Sequence, residues 1–339
     1  MAATAQRRRG TWSDPRKRRE ALAAYAFIAP YLIITLVFTV GVLIFAVYVS
    51  FTHFNLFTWP PQWVGLKNYV DAIVKVQDFR RSLLNVSWYV FIVVPTQTAL
   101  AIALAMLLNA PMRGKQFFRT VFYGPSVTSP VVISMIFWWL YLKTGYLNFF
   151  LSKVLGLAGI SFKTVEWLND PHGLIQLIVR LFGGDIATQY WYLRGPSITW
   201  MAIMFQNIFT TAPTFMVMFL AALQDIPPSL YEAAAIDGAN KWQQFWKITL
   251  PMLRPIILLV VVLGTIGTFQ IFDQVKILTS GGPLKTTLTP VFLIYRDAMG
   301  TSGPPRMGFA AAMAFILAAI IFVFTFIQRQ MIERGTEQY

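Results

Sequence analysis

The sequence contains no cysteine, so disulfides, thiol nucleophiles and cysteine-ligated metal centres are excluded. Histidine is almost as scarce: His53 and His172 are the only two. Both fall outside the predicted spans, and no carboxylates converge with them in a predicted cleft. Acid–base catalysis therefore lacks its usual parts, no catalytic residue is assigned, and no metal site is expected. A nucleotide-binding G-x4-G-K-[ST] loop is missing too. The nearest approach, "GGPLKTT" at 281–287, has leucine before its lysine. The last shortage is charge. Charged residues are 12% of the 339 positions, against about 25% in soluble domains.

That shortage is concentrated. Six blocks hold no Asp, Glu, Lys or Arg: 21–66, 82–112, 120–142, 195–224, 255–272 and 307–328. A membrane-spanning helix needs about 20 mainly apolar residues. Each block therefore predicts one span, at about 24–49, 84–108, 121–142, 197–223, 252–272 and 308–328. Asn55 and "WPPQW" at 59–63 interrupt the far half of the first block, so it holds one span and not two. Pro95 falls inside the second span, where neighbouring helices can satisfy the carbonyl it frees. Pro125 and Pro130 make the start of the third irregular.

What charge there is leans basic, with a net of +14. Seven basic residues lie in the first 19: Arg7, Arg8, Arg9, Arg16, Lys17, Arg18 and Arg19. A basic leader before an apolar run holds its side in the cytoplasm, and no nucleic-acid-binding fold follows it. The run is too long for a cleaved signal and ends in "YVSFTHF", without a small-residue cleavage pattern. Six spans then place both termini in the cytoplasm. On that arrangement the inside segments carry 15 basic residues in 76 positions and the outside segments 13 in 121, as the positive-inside rule requires. The chain divides into a cytoplasmic segment 1–22, a transmembrane domain 23–330 and a tail 331–339. The domain carries an extracytoplasmic insert at 143–196. Within the insert, "GLIQLIVRLFGG" (173–184) has helical apolar spacing but is too short to span, and predicts a helix lying on the outer membrane face.

A second polar segment, 227–251, lies on the cytoplasmic side. Ser229 and Glu232 have capping-box spacing, Ala233 to Ala235 favour helix, and Gly238 is suited to stop it in a left-handed conformation. Asn240 with Gln243 predicts a second capped helix. Along it Trp242, Phe245, Trp246 and Thr249 share one face, which lies along the membrane. As a plain connector the segment needs only caps and turns. Its small-residue face is what invites the backbone of a partner.

The residues Glu232-Ala233-Ala234, then Gly238, then Ile248-x-Leu250-Pro251 match every fixed position of the EAA-x3-G-x9-I-x-LP motif. With it the chain resembles the permease subunits of bacterial binding-protein-dependent ABC importers. "EAAAIDGA" and "LTSGGPLKT" (278–286) resemble the carbohydrate branch, and the latter its first permease, of maltose and glycerol-phosphate type. "VGLKNY" (64–69), "WLNDP" (167–171) and "GFAAAMAF" (308–315) extend the likeness over most of 20–330. Departures are Val86 where threonine is common, Ala314 where serine is common, and a long 172–196 segment, whose role is therefore not inherited.

The resemblance implies an all-α, six-span type I importer permease in the bacterial inner membrane. It implies a second permease subunit, two cytoplasmic ATPase subunits and an extracytoplasmic solute-binding protein as partners. ATP and magnesium would belong to the ATPases, and this chain would bind no cofactor. Docking to an ATPase groove would fall to Glu232, Ala233, Ala234 and Gly238, with Asp237 and Lys241 as further polar contacts. For the substrate pathway, Asn207, Thr211 and Thr214 form one stripe on the fourth span, with Gln206 and Thr210 beside it. Gly264, Thr268 and Ile271 lie near one another on the fifth, where close helix packing explains small residues equally well. Trp200 and Phe269 could stack on a sugar ring. No ionisable residue lies in the six predicted cores, which disfavours proton coupling and favours a neutral sugar. Mono-, di- and oligosaccharides, polyols and glycerol-phosphate compounds all fit the resemblance. A stand-alone secondary carrier or channel is the alternative, separable by its independence of an ATPase.

Overall fold

The computed structural model describes residues 15–55, 57–111, 113–301 and 303–333. The expectations for Arg7, Arg8 and Arg9 and for residues 334–339 lie outside them.

The first span is one long rod. Helix α1 (Pro15–Ile34) runs through a π-helical stretch, Thr35–Gly41, into α2 (Val42–Ser50). Pro30 is accommodated inside it. Its apolar side chains stand largely exposed, Phe27, Tyr31 and Phe38 among them. Such a surface suits lipid or a neighbouring subunit. A small antiparallel hairpin follows, β1 (Thr52–Asn55) with β2 (Thr58–Trp63), pairing Thr52 with Trp63 and His53 with Gln62. "WPPQW" ends the first span by forming a strand. Residues Lys67–Val70 form the short α3, whose buried Asn68 donates to the carbonyls of Ser50 and Thr52 at 2.9 Å and fixes the hairpin to the helix end.

The second span is α4 (Gln77–Asn109), unbroken at Pro95 and seven residues longer at its start than expected. The third departs from expectation. Helices α5 (Lys115–Val127) and α6 (Pro130–Leu140) meet at 95°. Thr128 and Ser129 between them are extended, because proline disfavours helical geometry in the residue before it and contributes no amide. The insert carries α7 (Tyr146–Leu157) and α8 (Leu174–Leu181), the latter at the predicted surface-helix position, with Leu181 and Phe182 exposed.

Helix α9 (Ile198–Gln224) is the fourth span, capped by the Ser197 hydroxyl, which accepts from the Trp200 amide at 3.0 Å. The polar segment comprises α10 (Pro228–Ile236), α11 (Lys241–Gln244) and α12 (Leu250–Met252). The fifth span is α13 (Arg254–Phe269), continued after a break by α14 (Asp273–Leu278). Helix α15 (Pro290–Met299) leads to the sixth span, α16 (Met307–Glu333). Among the described residues, five helices are long and apolar enough to cross a membrane, and the bent α5–α6 pair makes six.

The core lies between α4, α9, α13 and α16. Lipid is as apolar as leucine, so close van der Waals packing and buried hydrogen bonds must hold these helices together. Ala101 and Ala105, one turn apart on α4, let Phe215, Met216 and Phe219 of α9 approach closely. Nearer the other end, Tyr89 and Trp200 pack with ring centroids 4.7 Å apart. The Trp200 indole donates to the Asn85 carbonyl at 2.8 Å, while Phe269 is fully buried. Neither ring is open to a sugar, because the helix core has claimed both.

Candidate functional site

The 227–251 segment forms a compact helical hairpin at the end of α9. Pro228 occupies the first helical position, where its missing amide leaves no bond unmade. That places Pro227 at the cap and Ser229 within the helix, so the predicted Ser229–Glu232 capping box does not form. Among the described residues the Glu232 carboxylate has no hydrogen-bond or ion-pair partner.

The helix stops as expected. Gly238 has φ +80°, its amide donates to the Ala235 carbonyl at 3.1 Å, and Ala239 donates to Ala234 at 2.8 Å. Asn240 then opens α11 with a complete capping box. Its side chain accepts from the Gln243 amide and its own amide donates to the Gln243 side chain, both at 2.9 Å. A π-helical turn, Phe245–Thr249, carries the chain to Pro251.

The predicted aromatic face of this second helix divides, with Thr249 turned inward and both tryptophans left outside. Gln244 and Thr249 are buried, whereas Trp242 (69% exposed) and Trp246 turn outward. Two polar bonds explain the choice. The Gln244 amide donates to the Ala239 carbonyl at 3.2 Å, and the Tyr231 and Thr249 hydroxyls lie 2.9 Å apart, linking α10 to the π turn. Tyr231→Phe should remove this link and cost about 1 kcal/mol. Hydrogen exchange across 228–252 should speed up while the spans stay protected. Unchanged exchange there would show that the link does not hold the hairpin.

With the hairpin so locked, Glu232, Ala233, Asp237, Gly238 and Lys241 are exposed and Ala234 half-buried. Ile236 joins them at 87% exposed. It was missed because an isoleucine inside an alanine run reads as a core residue. A small-residue ridge, one apolar knob and an unpaired carboxylate thus share a rigid surface.

Along α9, Asn207, Thr210 and Thr211 are half-buried and Thr214 is exposed. The Thr211 hydroxyl donates to Asn207 Oδ1 at 3.3 Å, which ties two of the three stripe residues together. Thr210 instead bonds back to the carbonyls of Gln206 and Asn207. The neighbouring Gln206 is buried and donates to the Ser134 hydroxyl at 2.8 Å, joining α9 to α6. Gly264, Thr268 and Ile271 do not join this stripe, because they are buried within the chain's own packing. Thr268 returns its hydroxyl to the Gly264 carbonyl at 2.8 Å. A Cβ on Gly264 would lie 2.5 Å from Gln97 Nε2 of α4, so this glycine makes room for a fully buried amide.

Residues 75–336 match the family model described as binding-protein-dependent transport system inner membrane component. The chain belongs to that family of integral membrane transport subunits, a class already defined by the apolar helices and the exposed hairpin between the fourth and fifth spans. Among relatives, it is 33% identical over 312 residues to the probable ABC transporter permease protein YesP of Bacillus subtilis, covering 91% of this chain and 90% of that one. It is 29% identical to the trehalose/maltose transport system permease protein MalF of Thermococcus litoralis, over 92% and 94% of the two chains. In fold it matches a chain of the bacterial alginate ABC transporter solved with an alginate pentasaccharide-bound periplasmic protein. That match has TM-score 0.73 and 21% identity, and covers 95% and 97% of the chains. The type I importer permease fold is thereby established. The relatives are transport permeases and not enzymes.

Proposed function

We propose that this chain forms half of a carbohydrate pathway and takes its driving force from cytoplasmic ATPase subunits docked on the 227–251 hairpin. The observation that carries the proposal is the hairpin's exposed face, where Glu232 stands unpartnered beside Ala233, Ile236 and Gly238. A carboxylate left free on a rigid, small-residue surface suits a groove that supplies a basic or amide donor. ATP and magnesium would be bound by the ATPases, with both termini of this chain on the same cytoplasmic side. The exposed flank of the first span suits contact with a second permease.

The pathway would follow Asn207, Thr210, Thr211 and Thr214. Their uncharged hydrogen-bonding groups suit a sugar better than an ion. The sugar-transport roles named for several relatives support this substrate class. Gly264, Thr268 and Ile271 would contribute only if the helices part during transport.

The test is reconstitution of the complete importer in vesicles with its binding protein and a radiolabelled cognate sugar. Uptake should require ATP, and Asn207→Leu with Thr211→Val should lower it about tenfold, the scale of one or two lost hydrogen bonds. Stimulation of ATP hydrolysis by the binding protein should persist in this variant. Uptake by this chain without any ATPase would instead establish the stand-alone carrier.

A further inference from the structure

Residues 172–196 build a structure for which the family resemblance supplies no role. Its two ends are stitched together. Gly173 bridges to Ser197, the Leu174 amide donates to the Pro196 carbonyl at 2.9 Å, and the Ile175 amide to the Arg194 carbonyl at 3.1 Å. Gly173 is required here, since a Cβ would fall on the Arg194 carbonyl. The excursion between is pinned at Asp185. Its carboxylate accepts from Arg180 Nε and Nη2 at 3.1 Å, from Gln176 at 3.0 Å and from the Ile186 amide at 2.8 Å. The Arg180 guanidinium, then the Gln176 amide, hold this carboxyl well below the usual carboxylate range. The insert is thus a braced loop, and its acid is already committed.

What the loop positions is a pair of arginines. Arg194 Nη2 donates to the Ile186 carbonyl at 3.1 Å, which leaves its buried Nε without a partner. Arg81, on the first turns of α4, lies over the Trp191 ring with its guanidinium carbon 5.1 Å from the centroid. Its Nε is also buried and unpartnered. The nearest carboxylate on its own helix, Asp78, is held by Lys285 at 2.7 Å and faces Arg296 at 3.8 Å. Both arginines line one small cavity of about 50 Å³, together with Trp88, Trp191, Asn85 and Ser197. Two like charges brought together without an anion repel, and buried guanidinium donors left unbonded are costly. The cavity holds one or two waters' worth of space. That suits a single planar carboxylate and excludes a sugar ring.

The cavity opens beside Ser197, at the start of α9, and the docking hairpin follows the other end of that helix. Twenty-seven helical residues separate them, about 40 Å. We propose that Arg81 and Arg194 form a carboxylate-binding site at the extracytoplasmic mouth, with Trp191 holding Arg81 in place. The carboxylate comes either from an acidic sugar on its way in or from a side chain of the docked binding protein. The assignment rests on the importer reading only for the side from which the carboxylate arrives.

Two measurements on the complete importer in nanodiscs test it. The first is binding of sodium glucuronate, with glucose and sodium chloride as controls. The second is the affinity of the binding protein, with and without glucuronate as competitor. The double variant Arg81→Gln, Arg194→Gln serves in both, and ATP-driven uptake is followed separately so that failure of the importer reading is recognised on its own. Saturable glucuronate binding, absent for glucose and weakened at least about tenfold in the variant, supports the site with an acidic sugar as source. A binding-protein affinity lowered about tenfold in the variant, with competition by glucuronate in the wild type, supports it with the protein as source. Should the variant fail to assemble, the wild type still decides. If glucuronate neither binds saturably nor competes with the binding protein, the proposal is overturned.

Discussion

Glu232→Ala should lower ATP-driven sugar uptake by at least about tenfold while the chain reaches the membrane in normal amount. The two halves of that expectation have different grounds. Glu232 is exposed and makes no side-chain bond among the described residues, so the fold does not depend on it. Exposed substitutions away from caps and networks stay within about 0.5 kcal/mol. Docking is another matter. A hydrogen bond to a charged group contributes about 1.5–3 kcal/mol, which at equilibrium is roughly ten- to a hundredfold in affinity. Glu232→Gln separates charge from shape. It keeps the size and one acceptor, so a charged joint predicts a loss nearly as large as alanine's. Full uptake by both variants would remove the carboxylate from the coupling interface. Gly238→Pro should act differently, because it removes the amide donated to Ala235 and cannot adopt φ +80°. It should disturb the hairpin itself, and faster hydrogen exchange at 228–240 would register that.

The absence of a cap at Glu232 could not be read from the chain. Ser229 and Glu232 have the right spacing, but spacing does not say which residue is the cap. Pro228 decides it by taking the first helical position. The second helix shows the same limit. Trp242, Phe245, Trp246 and Thr249 marked a face, yet two local polar bonds, Tyr231 to Thr249 and Gln244 to Ala239, bury Thr249 with Gln244 and leave the tryptophans outside. In both cases the element was legible and its rotation was not. The rotation is fixed by contacts between segments that share no periodic pattern.

The spans were more legible, because excluding charge from about 20 consecutive residues is a severe constraint. Their starts were less so. Charged residues such as Asp78, Arg80 and Arg81 extend α4 beyond the apolar block as ordinary helix. The 95° bend between α5 and α6 was foreshadowed by Pro125 and Pro130, but its angle comes from the extended Thr128 and Ser129. The β1–β2 hairpin was visible only as an interruption. Among the proposed pathway residues, Asn207 and Thr211 of α9 are bonded to each other and partly open, whereas Gly264, Thr268 and Ile271 are buried. A threonine beside a glycine carries the same signal in either case, and only burial separates them. The insert's arginine pair was invisible, since Arg81 and Arg194 are 113 positions apart.

Gly308→Ala should destabilise the fold markedly. Gly308 opens the sixth span, within "GFAAAMAF". It sits against the end of the first span, where a Cβ would fall on the Thr52 carbonyl oxygen and lie 3.0 Å from that of Val49 and 3.2 Å from the Phe54 amide. All three are backbone atoms, so no side chain can turn aside. Neither can the backbone move freely, because Asn68 ties the Ser50 and Thr52 carbonyls and Thr52 bonds back to Val49 at 2.8 Å. Inserting a methyl into such a contact costs about 3 kcal/mol, the upper end for overpacking. The unfolding temperature in detergent should fall by on the order of 4 °C. Gly156→Ala provides the control. Gly156 lies in α7 with nothing within 4 Å of its added Cβ, and alanine there favours helix by up to about 1 kcal/mol. The pair shares one chemical change and differs only in what surrounds it. Equal unfolding temperatures for the two variants would mean that the first and sixth spans do not meet at Gly308.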